Sequence, residues 1–146
     1  MNPPSLTFTV DGTPAPQGSK KAYNRGGRTI LVESSKKLPA WRAKITATSH
    51  AAMHRTNTTP ARRGEPVTIN LTFRMPRPKA WGKNRHDPMT QRPDVDKLAR
   101  AVLDALTGPI MQEDSQVTHL TATKQRTPAG TTPGCDITVT YPNRTA

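Results

Sequence analysis

A chain of 146 residues has the length of one ordinary domain, and 32% hydrophobic residues with 15 prolines imply a thin core, much loop and apolar surface left to bury against a second copy. Lys and Arg number 22 against 10 Asp and Glu, a net charge of +12, which points to a polyanion, nucleic acid before an anionic membrane, since no basic amphipathic helix with a strong apolar face stands out. A single cysteine, Cys135, excludes an internal disulfide framework and a Cys-based zinc site, and no apolar run approaches the roughly 18 residues of a membrane span.

The opening, MNPPSLTFTV, has no cationic segment followed by an apolar one, so the expected location is the cytoplasm. Within it Leu6, Phe8 and Val10 alternate with polar residues, the pattern of a strand with one buried face. DGTPAPQG then marks a turn that leads to Lys20 and Lys21. RTILVES (28–34), after the turn NRGG, is a possible further strand. A helix is predicted after Ser34 and Ser35, with Leu38, Trp41 and Ile45 at helical spacing and Pro39 tolerable only in its first turn. HRTNTTPARRGEP (54–66) reads as a loop. Val67, Ile69, Leu71, Phe73 and Met75 alternate as a second strand with one buried face.

Residues 76–93, PRPKAWGKNRHDPMTQRP, form a basic loop, long for a compact domain and therefore functional or mobile. Arg77, Lys79, Lys83, Arg85 and Arg92 surround Trp81, a mixture that suits phosphates while offering a ring to a base; a solvated surface loop is the alternative. DVDKLARAVLDALTG follows as a helix, with Val95, Leu98, Ala99, Val102 and Leu106 on one face and Gly108 with Pro109 ending it. QVTHLTATKQR (116–126) is a Thr-rich strand candidate, TPAGTTPG a turn, and Ile137, Val139 and Tyr141 a closing strand. The fold class is α/β (α+β): one domain over residues 1–146, with a mixed or mainly antiparallel sheet of about four to five strands packed with two main helices.

Acidic residues gather on this basic chain at Asp94 and Asp96, where the second helix begins, and at Glu113 and Asp114, just before a strand. A cap or a first-turn acid favoured by the helix dipole accounts for one aspartate. It accounts for two less readily and says nothing of Glu113 and Asp114. If the helix lies across the sheet, Asp114 returns beside Asp94 and Asp96. Three carboxylates facing a polyanion repel its phosphates unless a divalent cation lies between, and hard oxygen ligands suit Mg²⁺, which keeps waters and accepts a phosphate oxygen.

PDVDKLARAVLDALTG followed by EDSQV resembles the signature of the RusA family of Holliday junction resolvases, in which an Asp-x-Asp pair opens a helix containing DAL and a further Asp precedes xQV. The likeness is closest over Pro93 to Val117; elsewhere it is one of layout. It implies a dimeric α/β endonuclease, dependent on Mg²⁺ or Mn²⁺, that cuts four-way DNA junctions symmetrically, with Asp94, Asp96 and Asp114 on the metal-binding carboxylates. Two positions depart from the pattern: Lys97 stands where many members have Asn, and Arg100 where they have a functional Lys. Arginine stabilises phosphate charge but does not give up a proton, so Arg100 is assigned electrostatic support. Asp104, four residues on, either orients Arg100, approaches the metal or forms a surface ion pair; Glu113 is a further candidate around the ligands.

Lys20, Lys21, Lys97 and Lys124 join Lys79, Trp81, Lys83, Arg85 and Arg92 as candidate DNA contacts, each lysine alone also fitting a solvated charge. His50, His54, His86 and His119 lack metal spacing beyond the i,i+4 pair His50 and His54, which has no zincin Glu. His119 reads as packing or surface, and Cys135 as a small residue packed near a strand. The leading expectation is a homodimeric endonuclease acting on four-way junctions; the alternatives are a non-catalytic basic DNA-binding protein and a metal nuclease for flaps or other branched DNA.

Overall fold

The computed structural model describes residues 2–18, 20–33 and 36–145, with the side chains of 20–25 and 28–33 left aside. In chain order the elements are β1 (Ser5–Asp11), β2 (Lys20–Arg25), β3 (Arg28–Glu33), α1 (Leu38–Arg55), β4 (Val67–Met75), α2 (Val95–Leu106), a 3₁₀ turn (Asp114–Gln116), β5 (Val117–Arg126) and β6 (Gly134–Thr140). Four strands form one sheet in the order β1-β6-β4-β5. β6 pairs antiparallel with both β1 and β4, while β4 and β5 are parallel. The fold is therefore α+β with a mixed sheet and two helices.

The alternation visible in the sequence maps onto burial. In β1 every second residue is buried, and in β4 Val67, Ile69, Leu71, Phe73 and Met75 all point to the core. Ile137 and Val139 of β6 complete that face; Tyr141, one residue past the strand, stays buried and its hydroxyl donates to the Ile110 carbonyl at 3.4 Å. Cys135 is buried on β6, and burial pushes its thiol up to about 12. α1 buries Leu38, Trp41, Ile45, Ala52 and Met53, with Pro39 in its first turn; Ser34 and Ser35 lie outside the described residues. α1 and α2 pack together, and the Thr46 hydroxyl donates to the Ala105 carbonyl at 2.9 Å.

Three details differ from the sequence-based expectation. The candidate strand at residues 28–34 is real but does not extend the main sheet: β3 pairs with β2, an element the sequence did not suggest, in a separate hairpin. Gly26 and Gly27, both at positive φ, supply the two-residue loop, as a right-twisted hairpin requires. Val95, placed by spacing on the apolar face of α2, is 37% exposed, because the buried stripe starts at Leu98. Within residues 76–93, Met89 is buried and Arg77 donates to the Thr127, Gly82 and Arg85 carbonyls, anchors that composition did not reveal.

The β4–α2–β5 unit positions everything that follows. Parallel neighbours require a crossover, and here α2 provides it. The helix thus starts near the end of β5 and finishes near its beginning. At the first end the Lys124 ammonium donates to the Gln91 and Pro93 carbonyls at 2.6 and 2.9 Å. At the second, Thr107 bridges Met111 just before the 3₁₀ turn.

Candidate functional site

Asp94 is the N-cap of α2 and Asp96 lies in its first turn, yet the Asp94 carboxylate makes no cap hydrogen bond. The ordinary capping explanation therefore leaves that carboxylate unused. Both aspartates are exposed; the Lys97 ammonium is 3.9 Å from Asp94 Oδ2, and Asp96 forms no ion pair among the described residues. Arg100 is exposed one turn after Asp96, and among the described residues it forms no ion pair with Asp96 or Asp104. The surface ion pair considered for Asp104 is thus not formed.

Asp104 instead shares a cleft of about 330 Å³ with Glu113 and Asp114, beside Arg42, Thr107 and Gln112. Eight helical residues, about 12 Å of axis, separate Asp96 from Asp104. Because α2 runs antiparallel to β5, Asp114 returns beside Asp104 rather than beside Asp94 and Asp96. Among the described residues no three His, Cys, Asp or Glu side chains converge on a metal-sized point. The donor chemistry suits Mg²⁺, but one chain divides its donors between the two ends of a helix.

The Asp114 end is braced by Gln116, which in the sequence stands out only as part of the EDSQV motif. Its side-chain oxygen accepts from the backbone N–H groups of Gln112 and Glu113 at 2.8 and 3.0 Å. Its amide nitrogen donates to the carbonyls of Arg62 and Glu65 at 2.7 and 3.0 Å. Gln116 is buried, and all its hydrogen-bonding capacity goes into joining two loops. The signal available in sequence was a Gln ahead of a β-branched strand, which does not announce its partners 51 and 54 residues earlier. Glu113 has a local role, accepting from the Ser115 hydroxyl at 3.3 Å.

The basic candidates fall mainly at the Asp94 end. Trp81 lies among three guanidinium groups: Arg85 at 4.3 Å, Arg77 at 5.5 Å and Arg126 at 5.9 Å from the ring centroid. Such stacking is favourable because the ring face carries negative charge. Arg126 also donates to the Pro76 carbonyl and approaches Gln91, fastening the loop to the end of β5. Lys79, Lys83, Arg85, Arg92 and Lys97 are exposed, and Lys124 is held by its two carbonyls. The side chains of Lys20 and Lys21 fall outside the described residues. His50, His54, His86 and His119 are all exposed. No helix among the described residues is long and apolar enough to cross a membrane.

A protein of Bacillus subtilis (strain 168), "Uncharacterized protein YqaN", is 28% identical over 130 residues, which cover 82% of this chain and 86% of that one. The family model described as endodeoxyribonuclease RusA matches residues 11–140, nearly the whole chain and all of the β4–α2–β5 unit. The chain belongs to the RusA family of endodeoxyribonucleases.

Proposed function

We propose that this protein is a Mg²⁺-dependent endonuclease, with Mn²⁺ able to substitute, that resolves four-way DNA junctions by paired, symmetric cuts in recombination and repair. The observation that carries the reading is the pair of exposed, uncapped carboxylates at the start of α2 on a chain of charge +12. Carboxylates that among the described residues make no side-chain cap and no ion pair shorter than 3.9 Å, on a surface built to attract phosphates, have a purpose when a divalent cation joins the two. Asp94 and Asp96 would hold it from one end of α2, with Asp114 as a further ligand. A bound cation supplies charge stabilisation at the scissile phosphate and makes water more acidic.

The remaining steps belong to the chain itself. Arg100, one turn along the exposed face from Asp96, contributes a fixed positive charge toward the phosphate and leaves protonation of the departing oxygen to solvent. The basic loop around Trp81 adds affinity through phosphates without reading sequence.

A homodimer fits two features. β5 is a ten-residue strand at the sheet edge, with Leu120 42% exposed, a surface that isolated proteins normally protect. In addition, the donors at opposite ends of α2 would be united if the start of α2 in one copy met the Asp114 turn of the other. A two-fold assembly also matches a symmetric substrate cut on opposed strands.

The deciding experiment incubates the protein with labelled four-way junction and linear duplex, with and without Mg²⁺. Paired cuts in the junction, abolished by EDTA, are expected. Binding without cutting favours the DNA-binding protein, and equal cutting of flaps favours a broader branched-DNA nuclease.

A further inference from the structure

We propose that the turn Arg62–Glu65 is a phosphate-binding site that holds the DNA backbone next to the Asp114 turn; the proposal rests on the nuclease reading above and adds a contact to it. In sequence these residues are part of an ordinary loop. In the structure the turn is closed by Glu65 N–H donating to the Arg62 carbonyl at 2.9 Å, with Gly64 at φ +81° in its third position. That backbone favours glycine and sets Arg63 at the tip. Arg62 and Arg63 are exposed, and neither forms an ion pair among the described residues.

The one carboxylate in the turn is already committed. Glu65 accepts from the Arg144 guanidinium at 2.7 and 3.0 Å, and its Oε1 also accepts from Arg62 N–H at 2.9 Å. Arg144 donates further to the Thr59 and Pro60 carbonyls and stacks 3.8 Å over Tyr141. Gln116 then fastens the turn's carbonyls to the loop that carries Asp114. The result is a braced platform whose two guanidinium groups form no ion pair among the described residues.

A groove of about 350 Å³ runs between Arg63 on one side and Glu113, Ser115 and Thr118 on the other. Arg63 also borders a second cleft of about 510 Å³ with Arg62 and Arg144. An acidic turn that acts on one phosphate needs a cationic neighbour to keep the next phosphates in place, and arginine forks suit two phosphate oxygens at once. Solubility alone would require charge here, but not the bracing by Glu65, Arg144 and Gln116.

The test compares two double variants that remove the same charge: Arg62→Ala with Arg63→Ala, and Lys44→Ala with Arg55→Ala on the exposed side of α1. All four side chains are exposed, so melting curves should match the parent. Affinity for a synthetic four-way junction is measured over a salt series. The first double should flatten the slope of log K against log salt by about 2, roughly one for each phosphate no longer neutralised, and the second should leave it near the parent's. An unchanged slope in the first double, or equal flattening in both, overturns the proposal. A parent protein that binds junctions with steep salt dependence but never cuts them removes the nuclease reading, while the slope comparison still decides the contact. A parent that does not bind DNA removes both.

Discussion

At the start of α2, Asp94 and Asp96 are exposed, and among the described residues the only ion pair they make is that of Asp94 with Lys97 at 3.9 Å. Beyond its end, Asp114 sits in a turn clamped by Gln116 to a loop more than fifty residues earlier in the chain. Each end has a basic companion: the Trp81 loop with Arg77, Arg85 and Arg126 at the first, and Arg62 with Arg63 at the second. At the first end Lys124 ties the backbone just before the helix, but the Asp94 and Asp96 carboxylates take no part in a hydrogen bond among the described residues. At the second end the Gln116 side chain of the EDSQV motif itself makes the tertiary hydrogen bonds. Substitutions should therefore separate chemistry from stability at the first end and couple them at the second.

The largest effect is expected at Asp96. Asp96→Asn should lower junction cleavage by roughly a hundredfold or more, since a lost metal ligand removes several kcal/mol of transition-state stabilisation. Binding should survive or tighten as a negative charge facing DNA disappears. Cleavage rates near the parent's would remove Asp96 from the ligand set. Next comes a mixing experiment between the ends. If each site takes Asp96 from one copy and Asp114 from the other, Asp96→Asn and Asp114→Asn, each inactive alone, form a mixed dimer with one intact site. Strand nicking should then reappear, whereas ligands from a single copy predict none.

At the first end the Trp81 loop should influence binding. Trp81→Ala is expected to weaken junction binding by about 1–3 kcal/mol, the value of one base stacked on an aromatic ring, and to weaken linear duplex binding less. The change in Trp fluorescence on adding junction provides an independent reading. Equal losses on both DNA forms would mean that the ring serves its guanidinium neighbours and not a base.

Legibility in the sequence follows the same division. Period-two alternation marked β1, β4 and β6, and helical spacing marked α1 and α2, because one buried face imposes those periods locally. The Asp-x-Asp pair was visible because helix starts have a local signature. The course of the crossover was not, since nothing in a single helix states that its two ends face opposite sheet ends. β2 was hidden by Lys20 and Lys21, whose charges resemble a loop. The loop-joining roles of Gln116 and Arg144 were silent for a related reason: the carbonyls they donate to are 51 to 85 residues away.

Stability should then distinguish the ends. Asp94→Ala removes no cap hydrogen bond and should change stability by less than about 0.5 kcal/mol while abolishing cleavage. Gln116→Ala strips four hydrogen bonds from two loops and should cost about 2–3 kcal/mol, because buried donors and acceptors are left unmet. Denaturant midpoints for the two variants measure this directly, and equal midpoints would erase the contrast drawn above.

The smallest effect concerns pH at the second end. The Arg144 guanidinium, hydrogen-bonded to Glu65, holds that carboxyl below its ordinary value of 4.5 against the opposing pull of burial. A carboxyl whose folded value is depressed binds protons more readily when unfolded. Its contribution is therefore complete above about pH 4.5 and is lost as pH falls through the lower folded value. Glu65→Gln keeps the shape but not the charge, so it should cost about 1–2 kcal/mol at neutral pH and flatten the acid limb of the stability curve. The difference between parent and variant should shrink as the medium is acidified, and melting temperatures across pH 7 to 3 follow it. A constant difference across that range would mean that Glu65 holds the Arg62–Arg63 turn by geometry alone, and the platform beneath those two arginines would not be electrostatic.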